Sequence, residues 1–242
     1  MQPDFKKKVF RINNLDRTMR NRIYFIAIAL FTFVATYAQE SEMRNVGKFT
    51  EVHVSEAIDV FMEKGVKEQV RVEVDGVDLD RVRTEVFDGR LKIEISGNNR
   101  GGRVKVYITY VEINELRAST AASIFSKLIT SDKLALSAST AGSIDVTVQV
   151  KELDVLVSSS GEIELKGQAD IIYVSASSAG EVDAFDMEIN KVQAQSSSAG
   201  SIKVNVINEI EAKASSGGSI KYKGNPIKSN TNSTSGGSVR KY

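Results

Sequence analysis

The sequence predicts an all-β fold, a single-domain parallel β-solenoid that we interpret as a right-handed β-helix with coils of about 19 residues. Seven near-copies of a phrase such as ASTAGSI recur at a nearly constant step from Ala118 to the C-terminus. Apolar and polar residues alternate on both sides of each copy, which is typical of strands with one buried face. Repeats of this length bury their apolar face by stacking on their neighbours, so the period favours a solenoid.

Each copy closes with an aliphatic residue that begins the next strand. These residues are Ile124, Ile144, Ile163, Val182, Ile202, Ile220 and Val239. Around Ile144, the alternation covers residues 134–138 before the bend and 144–148 after it. Stacking such coils at the strand spacing of about 4.8 Å predicts internal columns of equivalent side chains. One predicted column is Leu116, Leu136, Val155, Val174, Ala194, Ala212 and Thr231, followed by a polar last coil with Ser229, Thr231 and Ser233.

The small residues between the two strands of each coil predict a tight corner. Six copies place glycine where a bend needs positive φ or a close approach of adjacent coils. These structural corner glycines are Gly142, Gly161, Gly180, Gly200, Gly218 and Gly237, and the first copy has Ala122 instead. Stacked serine and threonine residues before them can satisfy the backbone of the bend, fill a narrow corner as small side chains without any ligand, or form a binding surface, and the sequence favours the structural roles. The candidate binding ladder is Ser139, Thr140, Ser158, Ser159, Ser177, Ser178, Ser197 and Ser198.

The segment before the repeats predicts further strands, separated by turn signals such as Asp75-Gly76 and Asp88-Gly89. The predicted strands cover residues 49–55, 57–63, 69–74, 90–96 and 103–110, and residues 77–86 are expected to hold one short helical turn. No linker divides this part from the repeats. We therefore predict a β-helix domain over 39–242, with an N-terminal cap and wider first coils over 39–117 and the corner repeats over 118–242.

Residues 1–38 are predicted to be an N-terminal extension and signal peptide. Met1 and Met19 are both candidates for the first residue of the natural protein. A basic segment that ends at Arg22 precedes an unbroken apolar stretch over 23–35, and small residues lead to a cleavage site after Ala38. The stretch is shorter than the roughly 20 apolar residues of a membrane span. We expect an exported protein, periplasmic, surface-bound or secreted, without a stable membrane span after cleavage.

The composition excludes several classes of protein. The chain has 32 Lys and Arg against 31 Asp and Glu, and loss of the basic residues 1–38 leaves it slightly acidic. We therefore expect no nucleic-acid partner, which would need a clustered basic face. The absence of cysteine excludes disulfides and a lipid attached to cysteine. We expect no cofactor, and the sequence leaves the oligomeric state open.

Several motifs together resemble a known family. They are VGKFTEV at 46–52, IDV at 58–60, VFDGRLKI at 86–93, and the Ser/Ala/Gly-Ser-Ile repeats that follow. Over roughly residues 46–242 the chain resembles the secreted family named putative auto-transporter adhesin, head GIN domain. This resemblance implies a β-helical fold and an exported location, and it implies little chemistry.

Few residues offer catalytic chemistry. His53 is the only histidine, and without a second histidine or a cysteine it is expected to be an exposed or capping residue. Glu162 and Glu181 occupy equivalent corner positions one coil apart, and two close carboxylates can hydrolyse a glycoside or bind a cation. The sequence shows no repeated basic cluster and no aromatic platform beside them, which favours solvated corner residues.

These patterns favour an exported, non-enzymatic scaffold at the cell surface or envelope, adhesive or glycan-binding, whose partner is a glycan or another surface component. The first alternative is a polysaccharide-active enzyme that uses the corner carboxylates. The second alternative is a structural protein that assembles end to end through unpaired strands. A polar last coil opposes such assembly at the C-terminal end.

Overall fold

The computed structural model describes residues 40–97 and 101–242, which form β-strands and one 3-10 helix, and no α-helix occurs among them. In chain order the elements are β1 (Glu40–Arg44), β2 (Glu51–Val54), β3 (Ile58–Lys64), β4 (Gln69–Asp75), the 3-10 helix (Leu79–Arg81), β5 (Val82–Phe87), β6 (Arg90–Ile95), β7 (Arg103–Tyr110), β8 (Glu115–Ser119), β9 (Ser123–Ser139), β10 (Ser143–Val157), β11 (Glu162–Ala176), β12 (Glu181–Ser196), β13 (Ser201–Ala214), β14 (Ser219–Lys223), β15 (Lys228–Ser233) and β16 (Ser238–Lys241). The predicted signal peptide and its cleavage site lie outside the described residues. In the described part, no helix has the length and apolar character that a membrane span requires.

The long strands β9 to β13 are successive coils of a parallel β-solenoid. Each pairs in parallel with the next, in a register that aligns equivalent positions of the repeats, such as Ile144, Ile163 and Val182. The alternation of buried and exposed side chains changes phase midway along each strand, at Lys151 and Glu152 in β10. Each long strand therefore contributes to two faces of the solenoid. We call these faces sheet 1, formed by the half of each strand after a corner, and sheet 2, formed by the half before the next corner. The predicted fold is confirmed.

Shorter strands complete the two sheets. Toward the N-terminus, sheet 1 continues through β3, β7, β4 and β1, and sheet 2 continues through β8, β2, β6 and β5. Toward the C-terminus, β14 and β16 extend sheet 1, while β15 pairs with β13 in sheet 2. All of these strands belong to one compact unit, Gln39–Tyr242.

The N-terminal strands include antiparallel pairs, unlike the repeats. β1 pairs with β4, β4 with β7, and β5 with β6 in this way. The short helical turn expected within residues 77–86 is present as the 3-10 helix, which ends at Arg81 and is followed at once by β5. The turn at Asp88 and Gly89, whose φ values of 50° and 75° suit a two-residue hairpin loop, folds β5 back on β6.

The predicted internal column is present strand by strand. The register aligns Leu116, Leu136, Val155, Val174, Ala194, Ala212 and Thr231 in one row. Its first six members are buried, whereas Thr231 is exposed together with the rest of β15. Because the side chains shrink from leucine to alanine along the row, the volume that it fills decreases toward a polar C-terminal coil.

Candidate functional site

Each corner is a tight four-residue turn with two residues in the left-handed region. In the corner Ser139–Gly142, the Gly142 N–H donates to the Ser139 carbonyl at 2.9 Å, and Thr140 and Ala141 have φ values of 50° and 58°. Two successive positive φ values are those of a type I′ turn. The position of Thr140 has a φ of 48° to 51° in every copy, at Thr120, Thr140, Ser159, Ser178, Ser198, Ser216 and Ser235.

The corner glycines are explained by the close approach of adjacent coils. None of the six predicted glycines has positive φ. A Cβ at Gly161 would lie 2.6 Å from the carbonyl oxygen of Ala138 in the preceding coil, and a Cβ at each of the others would also lie under 3.0 Å from backbone. Of the two roles that the sequence offered for glycine, only close approach applies, and the positive φ falls on the two residues before it.

The backbone of each corner is bonded by neighbouring corners. The Ala141 N–H donates to the Ser159 carbonyl at 3.1 Å, and the Ser158 N–H donates to the Ala138 carbonyl at 3.0 Å. Among the described residues, the hydroxyls of the eight predicted ladder residues make no hydrogen bond to another protein group. The expectation that these hydroxyls satisfy the bend is therefore wrong, and their role must be sought elsewhere.

The ladder consists of two rows that differ in exposure. The half-buried row is Ser139, Ser158, Ser177 and Ser197. The exposed row, which we call the hydroxyl row, is Thr140, Ser159, Ser178 and Ser198. A left-handed backbone costs an ordinary L-residue about 1–2 kcal/mol and costs glycine far less, so the backbone gives no reason for serine or threonine in the hydroxyl row. The hydroxyl row therefore presents one exposed hydroxyl per coil, at a spacing of about 4.8 Å.

Beside the hydroxyl row, the outer surface of sheet 2 has a shallow depression with a volume of about 390 Å³, which we call the sheet groove. Its lining includes Arg117, Asp154, Leu156, Tyr173, Gln193 and Gln195. The Tyr173 side chain is 38% exposed, and the register places it between Asp154 and Gln193. In the described part of the chain, the amides of Gln193 and Gln195 make no hydrogen bond with protein groups. An aromatic ring thus lies beside free polar groups.

Sequence reasoning missed the sheet groove. Its residues are distant in the chain, and each is an ordinary outward-facing residue of a half-buried strand. The signal that could have found them is the repeat register itself, because Asp154, Tyr173 and Gln193 are separated by single steps of the repeat and so lie side by side.

Glu162 and Glu181 are register partners on adjacent strands, as the sequence predicts. Lys203 lies beside this pair, and its Nζ donates to Glu181 at 2.9 Å and to Asp183 at 3.0 Å. The hydrogen bond to Glu181, followed by that to Asp183, raises the pKa of Lys203. The sequence shows no repeated basic cluster beside these carboxylates, and the structure adds one lysine, which the next coil supplies. Glu181 is part of an ion pair here, which favours a structural role over acid–base chemistry.

His53 lies in a network of charged side chains on sheet 2. Its Nε2 is 2.9 Å from Glu115 and 3.9 Å from Glu51, and its side chain is only 18% exposed. Of the two expected alternatives, an exposed or a capping histidine, the exposed one is therefore wrong. Burial lowers the pKa of His53, and the hydrogen bond with Glu115 opposes this shift. These three side chains are close enough to hold a metal ion. Arg90 at 2.8 Å from Glu51 and Arg117 at 4.0 Å from Glu115 supply the positive charge instead, which favours an ion-pair network.

Comparisons with known proteins agree with the fold. The model of the family described as "Putative auto-transporter adhesin, head GIN domain" matches residues 48–226. Among curated proteins, none matches this chain.

Solved structures share the architecture. A putative adhesin from Bacteroides fragilis is 19% identical, with a TM-score of 0.76 over 86% of this chain and 98% of that one. A putative adhesin from Parabacteroides distasonis is 20% identical, with a TM-score of 0.67 over 86% and 98%. A putative lipid binding protein from the same species is 22% identical, with a TM-score of 0.64 over 84% and 96%. At such identities the likeness shows the fold alone.

Proposed function

Because the chain belongs to the family named putative auto-transporter adhesin, head GIN domain, we propose that it is an exported, non-enzymatic scaffold that adheres to glycans. The binding surface consists of the hydroxyl row and the adjoining sheet groove. The location rests on the predicted signal peptide and on the name of the family. The ligand class rests on the side chains that the two surfaces present.

The observation that carries this proposal is the hydroxyl row. Its four hydroxyls are exposed, form no hydrogen bond within the described residues, and sit on a backbone that favours glycine. A hydroxyl both donates and accepts hydrogen bonds, as do the hydroxyls of a sugar. A row that repeats once per coil can therefore contact successive parts of a long glycan, and many weak contacts on one chain add up to firm attachment.

The sheet groove supplies the complementary contacts. The exposed ring of Tyr173 offers an apolar surface for the C–H groups of a sugar ring. The free amides of Gln193 and Gln195 offer donors and acceptors for its hydroxyls. These three side chains share one surface because the register stacks their coils directly.

A scaffold role is favoured over catalysis by the state of the candidate catalytic groups. Glu181 is held by Lys203 at 2.9 Å, and His53 lies between two glutamates that are themselves close to arginines. Neither arrangement places a free acid beside a free base at an open cleft, which glycoside hydrolysis would require.

The experiment is a glycan and polysaccharide array with the purified protein, with reducing-end release measured on every glycan that binds. We expect binding without release, and we expect Tyr173→Ala to weaken it. The matched control is Tyr242→Ala, an 82% exposed tyrosine outside the sheet groove, which should leave binding unchanged.

Two results would contradict the proposal. Reducing ends that appear with the wild-type protein and vanish in Glu162→Gln or Glu181→Gln would identify an enzyme. If no glycan on the array binds and the protein forms fibres in a concentration-dependent way, it is an assembling structural protein.

A further inference from the structure

A stack of aromatic side chains covers the N-terminal end of sheet 1 and includes Phe125 of the first corner repeat. Phe61 of β3 lies between Tyr107 of β7 and Phe125 of β9, with ring centroids 5.4 Å and 5.2 Å away. The guanidinium of Arg71 lies 4.1 Å from the centre of the Tyr107 ring. Because the rings cover one another, they present mainly their edges to solvent, which disfavours the flat stacking that a sugar needs.

A β-bulge in β9 forms one side of a groove over this stack. Ser126 pairs with Val146 and Ile129 with Val148, so two residues of β9, Lys127 and Leu128, oppose a single residue of β10. A bulge of this kind re-aims side chains and is common beside binding sites. Both side chains point outward as a result, and Leu128 is 49% exposed.

The groove is large enough for a small ligand and is mainly apolar. Its volume is about 770 Å³, which lies within the usual range of about 300–1,000 Å³ for ligand sites. Met43 of β1, which is 55% exposed, and Leu128 lie at opposite ends of its lining. Between them the register places Arg71, Tyr107, Phe61 and Phe125 side by side on the same face of sheet 1, and we call this site the aromatic groove. Flexible methionine and leucine side chains beside ring edges suit an alkyl chain, which gains about 0.8 kcal/mol per buried methylene group.

Basic side chains surround the aromatic groove. Lys64, Arg71 and Lys127 all line it. Lys64 and Lys127 are exposed and, within the described residues, form no ion pair. A lysine at the edge of an apolar site can lay its methylene groups along a ligand while its ammonium binds an anion.

Two carboxylates also line the aromatic groove. Glu63 is exposed, whereas Asp145 lies 3.8 Å from the ammonium of Lys166, outside the groove. Arg71 is likewise paired with a carboxylate outside the groove, that of Glu73. Lys64 and Lys127 against Glu63 therefore leave the lining positive, which favours an anionic head group over a cationic one.

We propose that the aromatic groove binds a single-chain anionic amphiphile, with its alkyl chain along Met43, Phe125 and Leu128 and its anionic head beside Lys64 and Lys127. This site is distinct from the glycan surface and does not depend on it. A fatty acid has the chemistry that fits both parts of the groove.

Calorimetric titration of the purified protein with laurate tests the proposal. We expect saturable binding that Leu128→Asp and Met43→Asp each weaken by about tenfold or more. The matched control is Ile207→Asp, a 43% exposed aliphatic residue of β13 outside both grooves, which should leave laurate binding unchanged. Circular dichroism of each variant establishes that it is folded.

A second comparison tests the charge. The double variant Lys64→Gln, Lys127→Gln should weaken laurate but leave dodecanol, which has the same chain without the anion, unchanged. Absence of saturable laurate binding would overturn the proposal, as would equal weakening by Leu128→Asp and Ile207→Asp. If the wild-type protein is a dimer that does not bind laurate, and Leu128→Asp dissociates this dimer, the groove is an interface between two copies of the chain and the proposal is wrong.

Discussion

The buried hydroxyl of Tyr110 donates a hydrogen bond to the backbone carbonyl of Leu128 at 3.2 Å. Tyr110 is 2% exposed, so an interior side chain on β7 fixes the exposed bulge of β9 from beneath. The hydroxyl of Ser126 adds a second bond to the Met62 carbonyl at 3.3 Å. The bulge that shapes the aromatic groove is therefore a fixed part of the fold.

Tyr110→Phe should loosen this bulge without unfolding the protein. The variant removes one hydrogen bond, worth about 1 kcal/mol, while the ring continues to fill the core. We expect a small loss in the free energy of unfolding and weaker laurate binding. Denaturant unfolding and calorimetry measure the two effects. Unchanged laurate binding in Tyr110→Phe would show that the bulge does not depend on this bond.

The corner glycines give a second prediction. Gly161→Ala places a methyl group 2.6 Å from the Ala138 carbonyl oxygen, and this overpacking should cost about 1–3 kcal/mol. Gly47→Ala is the matched control, because its new Cβ has no neighbour nearer than 3.8 Å and its φ is not positive. Denaturant unfolding of both variants makes the comparison. Equal stability of the two would contradict the close approach of the coils.

At the left-handed residue before each corner glycine, a substitution is expected to raise the stability of the protein, whereas Gly161→Ala lowers it. Ala179 has a φ of 61°, and the last two copies have Gly217 and Gly236 at this position with φ values of 75° and 76°. Ala179→Gly should therefore stabilise the protein by up to about 1 kcal/mol, seen as a higher melting temperature. Ala212→Gly, in a buried strand, should destabilise it and serves as the control. A lower melting temperature for Ala179→Gly would contradict the account of the corner.

The pH dependence of stability gives a fourth prediction. Burial lowers the pKa of His53 from its ordinary value of 6.5, so the unfolded chain takes up this proton more readily than the folded chain. Neutral His53 therefore makes its full contribution to the free energy of unfolding at pH values above 6.5. This contribution is lost as the pH falls from 6.5 through the lowered pKa of the folded protein.

The measurement compares unfolding at about pH 7.5 and about pH 5.5 in the wild type and in His53→Gln, which keeps a polar side chain beside Glu115 but does not titrate. The wild type should lose more stability between the two pH values than the variant. A larger loss of stability in His53→Gln than in the wild type would mean that the pKa of His53 is raised in the folded protein, not lowered.

The repeat determines how much of this molecule its sequence predicts. Its regular period, with alternation on both sides of each corner, places every member of the Leu116 to Thr231 column correctly. The antiparallel pairing of β5 with β6 escapes prediction, because it depends on a hairpin outside the repeat. The coil from Ile124 to Ile144 is visibly one residue longer than the coil that follows it, but the location of the extra residue at Lys127 and Leu128 is not visible.

The candidate sites were harder to predict than the fold. The hydroxyl row is evident in the sequence, yet its lack of internal hydrogen bonds depends on the backbone bonds between corners. Lys203 beside Glu181 and Glu115 beside His53 come together only through stacking of distant segments. Outward-facing residues carry no periodic apolar signal, so the pattern that predicts the core says little about the surface.

In the proposed function, the hydroxyl row is the part of the surface that binds the glycan. This role is tested by the affinity of the best array glycan for the variant Thr140→Ala, Ser159→Ala, Ser178→Ala, Ser198→Ala. The control variant is Thr130→Ala, Gln149→Ala, Gln168→Ala, which removes exposed polar groups from the opposite edge of the same coils. We predict a loss of about tenfold or more in the first variant and no loss in the control. If both variants bind this glycan as tightly as the wild type does, the hydroxyl row is not its binding site.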